Sequence, residues 1–201
     1  MEGAKTLPSV VRVLKNGEML VGAPAKAGSL IDPESTVNSV KRQMGSDGKK
    51  SFSGIPDKEY TPADISCFIL EKVKECILED QDVDIKGNPK YAVICVPANF
   101  DDAKRAETKK AGELAGLEVV YLLEEPIAAA YAYGMEKTRD QTILVYDLGG
   151  GTFDVAILKV DTTNQGKKSL KVLAKEGIEE LGGDDFDHKI MMFAAEKLNE
   201  N

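Results

Sequence analysis

Apolar and polar residues alternate along this chain in short blocks, and each change of period marks a new element. SVVRVLKNGEMLVGAPA (9–25) reads as two β-strands around Asn16-Gly17, a dipeptide suited to a tight hairpin turn. IDPESTVNSVKRQMG (31–45) predicts a short helix with Asp32 as N-cap, Pro33 in its first position and Gly45 as its stop. The Gly-, Ser-, Asp- and Lys-rich stretch from Ser46 to Lys58 predicts a surface loop or an edge hairpin. A longer helix follows, capped by Thr61 with Pro62 in its first turn. Its apolar face is Ile65, Phe68, Ile69, Val73, Cys76 and Ile77.

After a polar loop, DVDIKGNPK, the run YAVICVP predicts a buried strand. A charged helix from about Asp101 to Ala115 follows, closed by Gly116. LEVVYLL is a short strand leading into EEPIAAAYAYG, an Ala-rich helix stopped by Gly134. Thr142 to Tyr146 predicts another buried strand, LGGGTFD a turn, VAILKV and SLKVLAKEG two further strands, and LGGDDFDHKIMMFAAEKL a Gly turn and a helix. Alternating strands and helices predict an α/β architecture.

Composition narrows the function. With 42% hydrophobic and 30% charged residues in 201, the chain can bury a core. A net charge of −8 speaks against a nucleic-acid surface and against an anionic membrane. Its apolar runs are too short to span a bilayer, and no signal segment is legible at Met1. Cys67, Cys76 and Cys95 lack CxxC spacing, which predicts reduced, cytoplasmic thiols packed as small core hydrophobes. His188, the single histidine, sits on a polar helix start and predicts a solvated side chain rather than a metal ligand.

The chemistry concentrates between Ile143 and Val155. An apolar strand ends in Asp147, three glycines (Gly149, Gly150, Gly151) and Thr152 follow, and Asp154 opens the next strand. A tight turn needs one or two glycines for positive φ angles; three suggest a backbone pressed close to phosphate oxygens. Two carboxylates beside an anion repel it unless a divalent cation lies between, and Mg²⁺ is held by one or two carboxylates plus nucleotide phosphates. The plain alternative is a hairpin with solvated acids. No GxxxxGK[ST] loop occurs, and no GxGxxG opens a helix after a strand.

Three other places can join this site. Glu125, held by Pro126 at a helix start, can face a metal or simply complement the helix dipole. Lys41 and Arg42 near a helix end suit the dipole, though a lysine there can also balance phosphate charge. Gly182-Gly183 before Asp184 reads as a helix-entry turn, where phosphate can also bind.

These residues carry a family resemblance. VYDLGGGTFDVAIL resembles the second phosphate loop of the DnaK-type seventy-kilodalton heat-shock chaperones. TLPSVV, VGAPAK, DPESTVNSVKRQMG, YTPADIS, AVICVPANFDDAKRAETKKAGELAGLEVVYLLEEPIAAAYAYG and ELGGDDFD are similar, in order, to segments of that family's ATPase domain. The resemblance implies an actin-like (ribonuclease H-like) fold of two α/β lobes with ATP or ADP and Mg²⁺ between them. It implies a strand-rich outer part over 1–60, an α/β core over 61–136 and the start of a second lobe over 137–201.

It also implies roles. Lys41 would orient the γ-phosphate and attacking water, Glu125 would organise Mg²⁺ through its waters, and Asp147 would position the water. Asp154 would hold the hydrated metal, Gly149, Gly150, Gly151 and Thr152 would line the phosphates, and Gly183 would approach the nucleotide. Pro97 and Arg105 match the family's interlobe switch. Implied partners are a J-domain co-chaperone, a nucleotide exchange factor and, through a peptide-binding domain, unfolded peptides.

There are departures: Leu7 and Ile127 stand where threonines are usual, and Asn99 where an aromatic is usual. The chain carries no DLGTT-like first phosphate loop, so these residues alone are expected to turn over ATP weakly or not at all. Two rival readings are a sugar- or acetate-kinase-like phosphotransferase and a non-catalytic fragment that binds co-chaperones.

Overall fold

The computed structural model describes residues 6–80, 87–134, 140–162 and 168–199, so most of the predicted 82–90 loop lies outside the described residues. Two compact units form. The first holds the chain through Ile94 together with Asp101–Leu122; the second holds Cys95–Phe100 and the chain from Leu123 onward.

In the first unit the Asn16-Gly17 turn joins β1 (Val10–Val13) to β2 (Met19–Val21), with Gly17 at φ +83°. The segment after β2 departs from the expected strand. Gly22 turns the chain at φ +86° and APAKA coils into α1 (Ala23–Ala27), too short for helical periodicity to be visible in the sequence.

The helix expected over 31–45 does not form. Thr36–Asn38 is instead β3, paired antiparallel to β1 in the order β2-β1-β3, and only a 3₁₀ turn follows at Val40–Gln43. Two β-branched residues, Thr36 and Val37, fit the open side of β1 better than an isolated helix, and Val37 is buried there. Asp32 therefore caps no helix. Partial burial pushes its pKa up, but hydrogen bonds from Ser35 and the Arg12 guanidinium 3.5 Å away outweigh this and lower it.

β4 (Lys50–Phe52) and β5 (Ile55–Tyr60) form the expected hairpin. α2 (Pro62–Glu79) begins as read at Thr61, and the structure adds Asp64: the two cap each other's backbone, satisfying two N–H groups that the helix leaves open. The unit's core joins Val11, Val13, Val37, Val40, Phe52, Tyr60 and Ile65, with Phe68 and Ile69 packed against it. α3 (Asp102–Leu114) is capped by Asp101 and ends at Gly116, φ +72°.

β6 (Tyr91–Val96) and β7 (Glu118–Glu124) pair and run from the first unit into the second. β6 is not the buried strand expected: Val96 is buried, whereas Tyr91, Val93 and Cys95 are exposed. An apolar run states what a strand can bury and leaves open what covers it.

The cysteines differ accordingly. Cys67 is buried, and burial, aided by the negative charges of Glu71 and Asp64, pushes its thiol up to about 11. At pH 8 its thiolate fraction is then about a hundredfold below that of an unburied thiol. A maleimide is expected to label Cys95 in the folded chain and Cys67 only on unfolding; peptide mass mapping reads the difference.

In the second unit α4 (Glu125–Gly134) packs on a meander of β8 (Gln141–Leu148), β9 (Phe153–Thr162) and β10 (Lys168–Ile178), ordered β10-β9-β8 and antiparallel throughout. Ala130, Ala156 and Leu158 form its core, flanked by Ile127, Val145, Leu170 and Val172. β8 alternates rather than being buried throughout: Leu144, Tyr146 and Leu148 face outward and are exposed. The last helix, α5 (Gly183–Asn199), buries no residue, and His188 is exposed as read. Among the described residues, no helix is long and apolar enough to cross a membrane.

The fold is thus α/β, built from four small sheets and five α-helices among the described residues.

Candidate functional site: a glycine turn between opposed aspartates

Register places the acids. In the β8–β9 ladder Ile143 opposes Leu158 and Val145 opposes Ala156, and the next pair on that face is Asp147 opposite Asp154. Because strand side chains alternate with period two, the face that packs against α4 ends, at the turn, in two carboxylates. Directly opposed residues have Cβ atoms about 5 Å apart, and like charges there destabilise a sheet. Asp154 is only 2% exposed, Thr152 is also buried, and Asp147 is half-buried. A buried acid opposite a second acid suits a site that receives a cation.

Between them the turn runs from Gly149 to Thr152, with the Gly149 N–H donating to the Thr152 carbonyl at 3.0 Å. None of its three glycines takes a positive φ. A close backbone approach is what requires Gly182, at the entry of α5. A Cβ on Gly182 would lie 2.4 Å from both the carbonyl carbon and oxygen of Gly150, and 2.7 Å from the Gly149 oxygen. The Gly183 N–H donates to Gly149 O at 3.0 Å and the Asp184 N–H to Gly150 O at 2.9 Å. The entry of α5 is thereby stitched to the turn, main chain to main chain.

This alters the reading of the helix entry. The Gly183 and Asp184 amides are committed to the turn's carbonyls, and the Asp185 carboxylate turns back to accept from the Gly182 N–H at 2.8 Å. Gly150 remains exposed; a Cβ there would meet only the Asp184 carboxylate, at 3.7 Å.

Glu125 opens α4 directly after β7, on the helix that packs against the acid-bearing face, and is half-buried. The second unit therefore gathers Asp147, Asp154, the turn and Gly183, with Glu125 on the adjoining helix. Lys41 belongs to the first unit, in the 3₁₀ turn rather than at a helix end, and is half-buried. Just past that turn Gly45, at φ +78°, donates its N–H to the Glu107 carboxylate of α3, which also accepts from Ala63 N–H at 3.3 Å. Of the switch pair, Pro97 is buried in the second unit and Arg105 lies on α3 in the first.

Among the described residues no three His, Cys, Asp or Glu side chains converge as a direct metal cage. Two opposed carboxylates fit Mg²⁺, which keeps most of its waters and takes one or two protein oxygens.

Sequence reading missed a second group of residues around Gly177. Asn99 Nδ2 donates to Gly177 O at 3.0 Å, and Lys175 Nζ donates to Ala98 O at 3.1 Å and to Glu124 Oε1 at 2.7 Å. Gly177 inside a strand was the available signal, since glycine there often marks a close approach.

The Hsp70 protein family matches residues 1–54 and 51–201. The chain is 49% identical over 198 residues to the chaperone protein DnaK of Thermotoga neapolitana, covering 98% of this chain and 31% of that protein. It is 48% identical, with the same coverage, to the DnaK proteins of Thermotoga maritima and Thermosipho africanus. It spans about a third of the length of these curated relatives. With a paired-aspartate glycine turn at its centre and near-half identity across 98% of its length, this chain belongs to the Hsp70 family.

Proposed function

We propose that this chain is part of the ATP-binding and ATP-hydrolysing domain of a DnaK-type molecular chaperone, with an actin-like fold. The observation that carries the reading is the opposition of Asp147 and Asp154 across a glycine turn tied to the entry of α5. Under it, residues 1–60 form the outer strand-rich part of a first lobe, 61–136 its core and 137–201 the start of a second lobe.

Asp154 and Asp147 would hold the hydrated metal, with Glu125 ordering its waters. When bound, Mg²⁺ would neutralise phosphate charge. Gly149, Gly150, Gly151 and Thr152 would line the polyphosphate, with Gly149 closing the turn through its N–H to the Thr152 carbonyl. Gly183 would approach the nucleotide, though its own amide is committed to Gly149. Asp147 accepts a hydrogen bond from the attacking water, and Lys41 balances the γ-phosphate charge. Such positioning is most of what phosphoryl transfer requires of a protein. Pro97 and Arg105 would pass nucleotide state between lobes. Unfolded peptides, a J-domain co-chaperone and an exchange factor would be the partners of the whole protein, acting in the cytoplasm.

Isothermal titration of the full gene product with ADP, with and without Mg²⁺, tests the site. Tighter binding with the metal is expected. Equal affinity in both titrations, or transfer of phosphate from ATP to a sugar or acetate in place of water, would overturn the reading.

A further inference from the structure

The loop at Ala98-Asn99 and the end of β10 hold each other by bonds running in opposite directions. Lys175 reaches from β10 to the Ala98 carbonyl at 3.1 Å, while Asn99 reaches back to the Gly177 carbonyl at 3.0 Å. The residues lie 77 and 78 positions apart in the chain, so this is a tertiary clasp and no local turn. Lys175 also pairs with Glu124 at 2.7 Å, where the carboxylate is 18% exposed, so the ammonium holds three segments at once.

Each end of the clasp adjoins an acid of the candidate site. Gly177 is the β10 partner of Asp154. The space where its Cβ would stand lies 2.8 Å from Asp154 Oδ1 and 2.9 Å from Asn99 Nδ2, so the carboxylate and the amide crowd one point. Glu124, the last residue of β7, directly precedes Glu125. A side chain amide that grips the main chain beside Asp154 limits how far that carboxylate can shift. An ammonium on Glu124 likewise fixes the turn from which Glu125 projects.

We infer that Asn99 and Lys175 are positioning residues: they set Asp154 and the Glu125 turn for a hydrated divalent cation without touching it. The inference rests on the Mg–nucleotide reading of Asp147 and Asp154. Outer residues that orient metal-binding groups change metal affinity by about 10–100-fold when removed. A bond serving stability alone would lower the melting temperature and leave the metal requirement where it was.

The test is a Mg²⁺ titration of ADP retention by the full gene product, read by equilibrium dialysis, with thermal melting in parallel. Asn99→Ala and Lys175→Met are each expected to raise the Mg²⁺ concentration for half-maximal retention about tenfold. Metal-free ADP binding is expected to stay at the parent value. Lys175→Arg, which keeps the charge and the reach to Glu124, is expected to behave as the parent does. Should Lys175→Met not fold, Asn99→Asp replaces an amide donor by a carboxylate at equal size and is expected to shift the same midpoint.

An unchanged midpoint in Asn99→Ala and Asn99→Asp, or a lowered melting temperature with no midpoint shift, overturns the inference. Asp154→Asn separates the two levels. If it abolishes the Mg²⁺ dependence while the Asn99 and Lys175 variants do not move it, the clasp fails and the site stands. If Asp154→Asn also leaves the dependence intact, the reading of the site itself fails.

Discussion

Replacing Asp154 by Asn is expected to leave the fold at least as stable in metal-free buffer and to weaken Mg–nucleotide binding by about a hundredfold or more. The two halves of this result have one cause. Asp147 and Asp154 are directly opposed, and like charges directly opposite each other destabilise a sheet. An amide of the same shape relieves that repulsion and removes half of the charge that attracts a divalent ion. Differential scanning calorimetry with and without MgADP checks both. The parent is expected to melt higher when MgADP is added and the variant to show no such gain. If the variant gained as much, the opposed acids would not be a metal site.

Gly182→Ala is expected to cost about 2–4 kcal/mol of stability, from overpacking and from two weakened main-chain hydrogen bonds. The new methyl would stand 2.4 Å from the Gly150 carbonyl, a backbone group that cannot swing aside. Relief requires parting α5 from the turn, which lengthens Gly183 N–H to Gly149 O and Asp184 N–H to Gly150 O. Gly150→Ala is the control. Its methyl meets nothing nearer than 3.7 Å, so denaturant melts should match the parent's while nucleotide binding drops. Equal midpoints for Gly182→Ala and the parent would contradict the close approach described.

Both substitutions turn on glycines or acids whose type was legible in sequence and whose reason was not. The spacing of Asp147, the glycines and Asp154 marks a phosphate-and-metal pattern along thirteen residues, Ile143 to Val155, and register then brings the acids face to face. Positive φ angles do not explain these glycines; the close passage over the Gly150 carbonyl explains Gly182 alone. That passage joins segments some thirty residues apart, a separation no local pattern reports. Asn99 stood out only as a departure from the family's aromatic. Its bond to Gly177 and the grip of Lys175 on Ala98 and Glu124 depend on the same distant pairing.

Elements whose stability is local followed from the chain alone: the Asn16-Gly17 turn, the Thr61 cap of α2 and the Gly116 stop of α3. Their hydrogen bonds and backbone angles involve neighbours within a few residues, so residue type suffices to specify them. Competition between a short helix and a free strand edge was settled by tertiary context. Thr36–Asn38 became β3 because β1 offered a partner, a gain that no helical propensity over so short a segment can match. Burial was settled the same way, for Cys95 and Val93 lie exposed in a run as apolar as that of any core strand. Sequence determined which chemistry the chain carries and where its local structure starts and stops. Tertiary structure decided which of those groups meet, because meeting depends on pairings between distant segments whose energies no local window contains.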